Sequence, residues 1–175
     1  MAQDLKRYIR NIKDYPKKGV VFRDITTLLK NGKALKQAVD LLYKGYKGRK
    51  VDLIAAIESR GFILGGALAN KMGLGFVPVR KLGKLPADCI EQKYDLEYGT
   101  DTLEIHRDAV KKGQKVLIVD DLLATGGTLQ ATCKLVEKLG GKVAGILVLI
   151  ELSFLKGRDK LKNYALFSLI KYDRE

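Results

Sequence analysis

Four stretches of the chain run apolar with little interruption: DLIAAI (Asp52–Ile57), GFVPVR (Gly75–Arg80), VLIV (Val116–Val119) and VAGILVLI (Val143–Ile150). A strand with no polar face must be covered on both sides, which is the pattern of parallel strands lying under crossover helices. Between these stretches the apolar spacing changes to that of a helix. From Gly126 to Gly141, Leu129, Thr132/Cys133, Val136 and Leu139 share one stripe, and Gly140–Gly141 closes it. From Gly61 to Gly73, Phe62, Ile63, Ala67 and Leu68 do the same, and Leu35, Ala38/Val39 and Leu42 mark an earlier helix closing near Gly45. Strand and helix in alternation predict an α/β fold, with a central, mostly parallel sheet flanked by helices and right-handed crossovers. Ligands of such sheets bind beyond the carboxyl ends of the strands.

The stretch Ile90–Val110 breaks this pattern. It alternates, is more polar, and places Gly99-Thr100-Asp101 as a turn between two strand-like arms, which predicts a projecting hairpin outside the core sheet. KLGKLPAD (Lys81–Asp88) has the composition of a mobile loop. Together they form a flap, or hood, over roughly 81–110. A short helical piece (Phe154–Leu161) and a last strand (Tyr164–Tyr172) follow. There is no internal repeat or linker, so residues 1–175 read as a single domain.

Composition narrows the class. At 46% hydrophobic and 30% charged, the 175-residue chain has the make-up of a soluble globular protein. No apolar run reaches the ~18 residues of a membrane span. The N-terminal MAQDLKRYIRNIKDYP lacks the apolar core of a signal peptide, so a cytoplasmic location is expected. Cys89 and Cys133 are far apart and form no CxxC, so two separate, buried or half-buried thiols are expected. His106, the only histidine, suits a surface or strand position. The balance of 33 Lys+Arg against 20 Asp+Glu gives +13, a field that attracts polyanions, whether nucleic acid, a membrane surface or a highly phosphorylated small molecule. The lysines of the first third are scattered rather than gathered in one tract, so most read as solvated surface.

The chemistry concentrates in VDDLLATGGT (Val119–Thr128). Asp120–Asp121 emerge where a buried strand ends, and packing gives no reason for two adjacent carboxylates there. Two acceptor-only groups could hold paired hydroxyls such as the 2′ and 3′ of a ribose. Thr125-Gly126-Gly127-Thr128 then opens a helix, where free backbone N–H groups and small residues suit a phosphate. Taken alone, Thr125–Thr128 is equally an N-cap threonine with turn glycines, a reading that leaves Asp120–Asp121 unexplained. There is no GxxxxGK[ST], and the Gly73/Gly75 pair meets Pro78 where GxGxxG needs its third glycine.

Apolar strand, two acids, then ATGGT resembles the phosphoribosyl-diphosphate signature of the type I phosphoribosyltransferases. GVVFRDIT (Gly19–Thr26), ESRGF (Glu58–Phe62), RKLGKLP (Arg80–Pro86), LEYG (Leu96–Gly99), LEIHRDA (Leu103–Ala109) and LKGRDKL (Leu155–Leu161) extend that likeness, on its adenine-using branch, over nearly the whole chain. The resemblance implies transfer of a phosphoribosyl group from 5-phospho-α-D-ribose 1-diphosphate to adenine, giving AMP and diphosphate in purine salvage. It also implies a homodimer, and no nucleic-acid or membrane partner. Mg²⁺ would be carried by the sugar diphosphate near Asp120 and Asp121, with no metal site of the protein's own.

The resemblance also implies roles for individual residues. Ala124, Thr125, Gly126, Gly127 and Thr128 would grip the 5′-phosphate, and Asp120 and Asp121 the ribose hydroxyls. Arg60, preceded by a cis peptide at Glu58–Ser59, would hold diphosphate oxygens with Ser59. Arg80, Lys81 and Lys84 would bind diphosphate, partly across a dimer interface; a lysine-rich loop is otherwise simply solvated. Phe22 would stack on the purine while backbone groups of Val21, Phe22 and Arg23 read its edge, although Phe22 also suits plain core. Glu104 would serve as acid/base at the purine, its pKa raised as the flap closes, with Tyr98 covering the site. By spacing alone Glu104 is an exposed strand residue. Two rivals remain: a family member using hypoxanthine, guanine or xanthine, and a regulator that keeps the pocket as a sensor and uses its basic surface on nucleic acid.

Overall fold

The computed structural model describes residues 2–46, 48–95 and 99–174. In chain order the elements are α1 (Ala2–Lys6), β1 (Arg10–Lys13), β2 (Val21–Asp24), α2 (Thr26–Leu29), α3 (Gly32–Tyr46), β3 (Leu53–Ile57), α4 (Arg60–Met72) and β4 (Gly75–Lys81). Then come β5 (Cys89–Asp95), β6 (Thr100–His106), β7 (Lys115–Leu123), α5 (Gly127–Lys138), β8 (Lys142–Leu152) and β9 (Leu166–Tyr172). Seven strands make one sheet in the order β5-β6-β4-β3-β7-β8-β9, in which β4, β3, β7, β8 and β9 pair in parallel and β6 pairs antiparallel with both β4 and β5 at one edge.

The uninterrupted apolar runs are buried on both faces, as their lack of a polar side demands. Successive strand residues point to opposite faces. Ile54, Ala56, Leu117, Val119, Leu147 and Leu149 enter one core with Leu42 of α3 and Leu64 and Leu68 of α4. Ala55, Ile57, Val116, Ile118, Ile146 and Val148 enter the other with Leu129, Cys133 and Val136 of α5. Close approach of α4 to β3 depends on Gly65, where a Cβ would lie 2.5 Å from the Ala56 methyl carbon. Both cysteines are free, Cys133 buried and Cys89 half-buried, and His106 sits half-buried on β6. Among the described residues no helix is long and apolar enough to cross a membrane.

Three expectations are corrected. The Ile90–Val110 hairpin is not detached from the sheet: β6 continues it, pairing Arg80 with Glu104 and Lys81 with Leu103, because Leu103 and Ile105 are core residues. The strand begun by VLIV runs on to Leu123, so Asp120 and Asp121 lie within its last residues, with Asp120 opposite Val148 of β8. The piece expected as a helix at Phe154–Leu161 is two 3-10 turns, Ser153–Leu155 and Gly157–Leu161.

A separate two-stranded hairpin, β1–β2, stands apart from the main sheet. Its anchor is the buried Asp24. That carboxylate accepts from the Thr26 backbone N–H (2.8 Å), the Thr26 hydroxyl (2.9 Å) and Arg10 Nε (3.0 Å). The Thr26 backbone bond leads in holding its pKa down at about 2, from an ordinary 3.8, against the opposing effect of burial. Asp24→Asn is expected to lower stability at neutral pH by on the order of 1–2 kcal/mol, as lost hydrogen bonds to a charged group do. Because the folded pKa lies below the unfolded one, the contribution is complete above about 3.8 and vanishes as pH falls through about 2. Urea melts of both proteins should converge between pH 6 and pH 2.5, and a gap independent of pH would refute this anchor.

Candidate active site

The order β4-β3-β7 creates the site. From β3 the chain passes to β4 on one side, and β7 later joins the other side, so the connections leaving β3 and β7 diverge. A crevice opens at such a reversal, beyond the carboxyl ends of the strands. Here it is a cavity of about 410 Å³ walled by Ile57–Arg60 after β3, by Asp120–Gly126, Thr128 and Leu129, and by Lys81, Tyr94, Asp101 and Leu103 from the hairpin edge.

Asp120 and Asp121 face this space with the glycine turn beside them. Both are buried, and the Asp121 backbone N–H donates to Asp120 Oδ1 at 2.8 Å. Burial, and then the neighbouring Asp121 carboxylate, drives the Asp120 carboxyl well above its ordinary range. Burial raises Asp121 as well, opposed by Arg60, whose Nε lies 2.8 Å from Asp121 Oδ2. Arg60 opens α4, directly after the cis Glu58–Ser59 peptide that the resemblance implied. Gly61 makes this approach possible, since a Cβ there would come within 2.8 Å of Asp120 Oδ1.

On the far side of the acids, Gly126 takes φ +81° and caps α5, with no side-chain cap bond. The first N–H groups of a helix have no partner within it, and they carry the positive end of its dipole. The positive end of a helix and a pair of buried carboxyl groups therefore share one wall. At the opposite end, the Arg60 guanidinium lies over the Phe22 ring at 5.1 Å, within cation–π range. Tyr15 packs edge-on against the same ring at 5.2 Å.

The cations expected around the diphosphate divide. Lys81 lines the cavity, its Nζ 3.1 Å from Asp101 Oδ2, and this bond raises its pKa so that it stays charged. Arg80 lies outside the cavity wall. Its Nε donates to Glu58 at 2.7 Å and its guanidinium to the Lys84 carbonyl at 3.1 Å, while Glu58 also accepts from the Lys81 N–H. Lys84 is exposed and outside the cavity. The Arg23 side chain turns away, to Asn11 (2.7 Å) and over the Tyr172 ring (4.2 Å). Tyr98 lies outside the described residues.

Glu104 is neither exposed nor in the cavity wall. It is buried on β6, and its carboxylate accepts the backbone N–H groups of Lys84 (2.8 Å) and Leu85 (2.7 Å). Burial alone would raise its pKa; these amides and that of Gly83 outweigh it and hold the group below its ordinary value. These bonds order the Gly83–Leu85 loop, and the direction of the shift is the reverse of the rise that the resemblance implied on flap closure. Sequence reasoning also missed Tyr94 and Asp101. Tyr94 enters the wall from β5, its hydroxyl 3.4 Å from Asp101 and within reach of Thr128. Asp101 was visible only as a turn residue, and nothing in the sequence marked Tyr94.

Residues 24–172 match the model of the phosphoribosyl transferase domain. The chain belongs to the phosphoribosyl transferase family. It is similar to adenine phosphoribosyltransferase of Caldanaerobacter subterraneus subsp. tengcongensis, 60% identical over 97% of this chain and 98% of the relative. Among solved structures of the family, adenine phosphoribosyltransferase of Thermoanaerobacter pseudethanolicus superposes with a TM-score of 0.96 at 57% identity, over 98% of this chain and 100% of the other. The enzyme of Saccharomyces cerevisiae, complexed with adenine and D-2,5-dideoxy-2,5-imino-altritol 1,6-bisphosphate, gives 0.90 at 41% identity, over 96% and 97%.

Removing Arg60 leaves Asp121 buried without its counter-charge. In Arg60→Gln the Asp121 carboxyl should hold its proton to higher pH than in the unaltered protein. Carboxyl-carbon NMR titration reads this directly, and an unmoved Asp121 curve would show that Arg60 does not govern it.

Proposed function

We propose that the protein transfers the 5-phosphoribosyl group of 5-phospho-α-D-ribose 1-diphosphate to adenine. The bond between adenine N9 and ribose C1′ forms as the bond from C1′ to the diphosphate oxygen breaks. AMP and diphosphate result, and the N9 proton leaves with the diphosphate. The observation that carries this reading is the single cavity shared by Asp120, Asp121 and the amide end of α5, with Phe22 beside its Arg60 wall. Relatives named for this activity, one of them complexed with adenine, support the choice of base.

In this reading the Ala124–Thr128 amides and hydroxyls receive the 5′-phosphate, while Asp120 and Asp121 take the ribose hydroxyls. A carboxylate kept from water by burial binds a hydroxyl donor more strongly than one in solvent does. Substrate hydroxyls also relieve the repulsion between the two acids. Arg60 and Lys81, with Ser59, attract the diphosphate, and the charge developing on it as C1′–O cleaves is met by fixed cations rather than by reorganising water. Phe22 stacks on the purine, with backbone groups of Val21 to Arg23 at its edge. Arg80 and Glu104 act indirectly, by holding the Gly83–Leu85 loop that follows Lys81.

Among the described residues no group of three or more His, Cys, Asp or Glu side chains could cage a metal ion. Two cavity carboxylates do fit a hard cation that arrives with a diphosphate, since Mg²⁺ is held through one or two carboxylates together with substrate phosphates and water. Asp120 and Asp121 would be its protein contacts, and Mg²⁺ would supply neutralisation of diphosphate charge. A homodimer in the cytoplasm completes the reading, with the exposed Lys84 available to a second subunit's site.

Mixing the protein with Mg²⁺, the sugar diphosphate and one base at a time should yield AMP from adenine, with far less product from hypoxanthine or guanine by chromatography. Product from those bases alone would reassign the base, and no product from any would end the proposal. Asp120→Asn combined with Asp121→Asn should lower turnover by at least about 100-fold, as loss of substrate-orienting contacts does, with the circular dichroism spectrum unchanged. Lys81→Ala should raise the KM of the sugar diphosphate several-fold at low ionic strength, with a smaller effect at ~0.5 M salt, where screening weakens exposed charges. A KM independent of both the substitution and salt would remove Lys81 from the site.

A further inference from the structure

The LKGRDKL stretch has no part in the reaction as derived so far, yet it touches the phosphate loop more closely than any side chain could. Gly157 is buried against the outer side of the turn between β7 and α5. A Cβ on Gly157 would fall 2.1 Å from the Ala124 carbonyl oxygen and 3.0 Å from the Gly126 nitrogen. Reciprocally, a Cβ on Gly126 would fall 2.4 Å from the Gly157 carbonyl oxygen. Two backbones therefore meet with no side chain between them, and the loop whose amides face the cavity has a solid back.

That back is tied to the sheet. Arg158, the next residue, donates from Nε and from a terminal nitrogen to the two oxygens of Glu151, at 2.6 and 2.8 Å. It also reaches the Leu166 carbonyl (3.3 Å) and Ser168 Oγ (3.1 Å) on β9. Glu151 is 3% exposed, and it pairs in register with Leu123, the last residue of β7 before the loop. Burial would raise its carboxyl, but Arg158 and Ser168 prevail and keep it ionised. Gln130 of α5 adds a tie by donating to the Lys160 carbonyl at 3.2 Å. A forked, bidentate arginine–carboxylate bond fixes direction as well as distance. The linkage thus runs from β8 and β9 through Glu151 and Arg158 to Gly157, and from there to Ala124 and Gly126.

We propose that Gly157 and Arg158 are positioning residues for the phosphate end of the substrate: clamped to Glu151, they fix the Ala124–Thr128 amides in receptive geometry before any ligand arrives. This rests on the reading of that loop as the phosphate site. Catalytic contacts elsewhere in the cavity do not depend on the clamp, so its loss should be selective for ligands carrying a phosphate.

Gly157→Ala and Arg158→Gln test this, the first by pushing on the loop and the second by releasing its support. In both, the KM of the sugar diphosphate and the Kd of AMP by calorimetry should rise about ten-fold or more, since small displacements of orienting groups cost that much. The KM of adenine and the Kd of adenosine should stay within about two-fold. A clamp that only stabilised the fold would lower the melting temperature and leave these constants alone, and that result, or equal weakening of AMP and adenosine, overturns the proposal. Hydrogen exchange gives a readout free of substrate: the Gly126–Thr128 amides of the unliganded protein should exchange faster in Arg158→Gln, and unchanged exchange also overturns it. Should Gly157→Ala give no folded protein, Arg158→Gln decides, with Ser168→Ala as a milder weakening of the same clamp. If the unaltered protein makes no AMP, the assigned activity fails by itself, while faster exchange in Arg158→Gln would still establish the clamp.

Discussion

Two carboxyl groups buried side by side, with one guanidinium paired to Asp121, are the constraint around which this molecule is arranged. Such a pair is unfavourable in an empty protein: burial and mutual repulsion both push Asp120 toward its neutral form. It persists because the strand that carries it is locked between β3 and β8, and because Gly61 lets Arg60 come close enough to compensate Asp121. The unresolved part of this electrostatic demand is available to a ligand with hydroxyl donors. A site with residual need, rather than one satisfied within the protein, is what binding energy can act on.

The anion-attracting parts follow a different logic. They are backbone amides and helix ends rather than a cluster of lysines, so they carry direction without the disorder of long side chains. The +13 net charge is largely elsewhere. Among the described residues, only Arg60 and Lys81 bring a full positive charge to the cavity wall, and each has its own carboxylate, Asp121 and Asp101. In the proposed reading, an incoming diphosphate would exchange one anionic partner for another at each cation. The rest of the charge sets a long-range field for anionic ligands.

Burial on both faces leaves an unambiguous mark in sequence, and so β3, β4, β7 and β8 were legible from their runs of apolar residues, as were α3, α4 and α5 from their spacing. The aspartate pair stood out because packing could not account for it, and it gave the glycine turn beside it a meaning beyond an ordinary helix start. What escaped was decided by partners remote in the chain. The β1–β2 hairpin is short and its strand residues largely polar, so it left no periodic trace. Glu104 looked like a solvent-facing strand residue, but backbone amides twenty residues away claim its carboxylate. Tyr94 and Asp101 reach the cavity only because the hairpin edge folds onto α5 and β4. Gly157 was visible only as part of a short helical piece and the LKGRDKL likeness, because its role depends on the opposing backbone of Ala124 and Gly126.

The aromatic ring next to Arg60 belongs to a ribbon that, among the described residues, pairs with no strand of the main sheet and is fastened at one end by Asp24. In the proposed reading, nucleobase contact and sugar-phosphate contact thus reside on separate parts, which meet where Arg23 lies over the Tyr172 ring of β9. On that reading, a change in the ribbon would alter the choice of heterocycle while leaving in place the seven-stranded frame that carries Asp120 and Asp121.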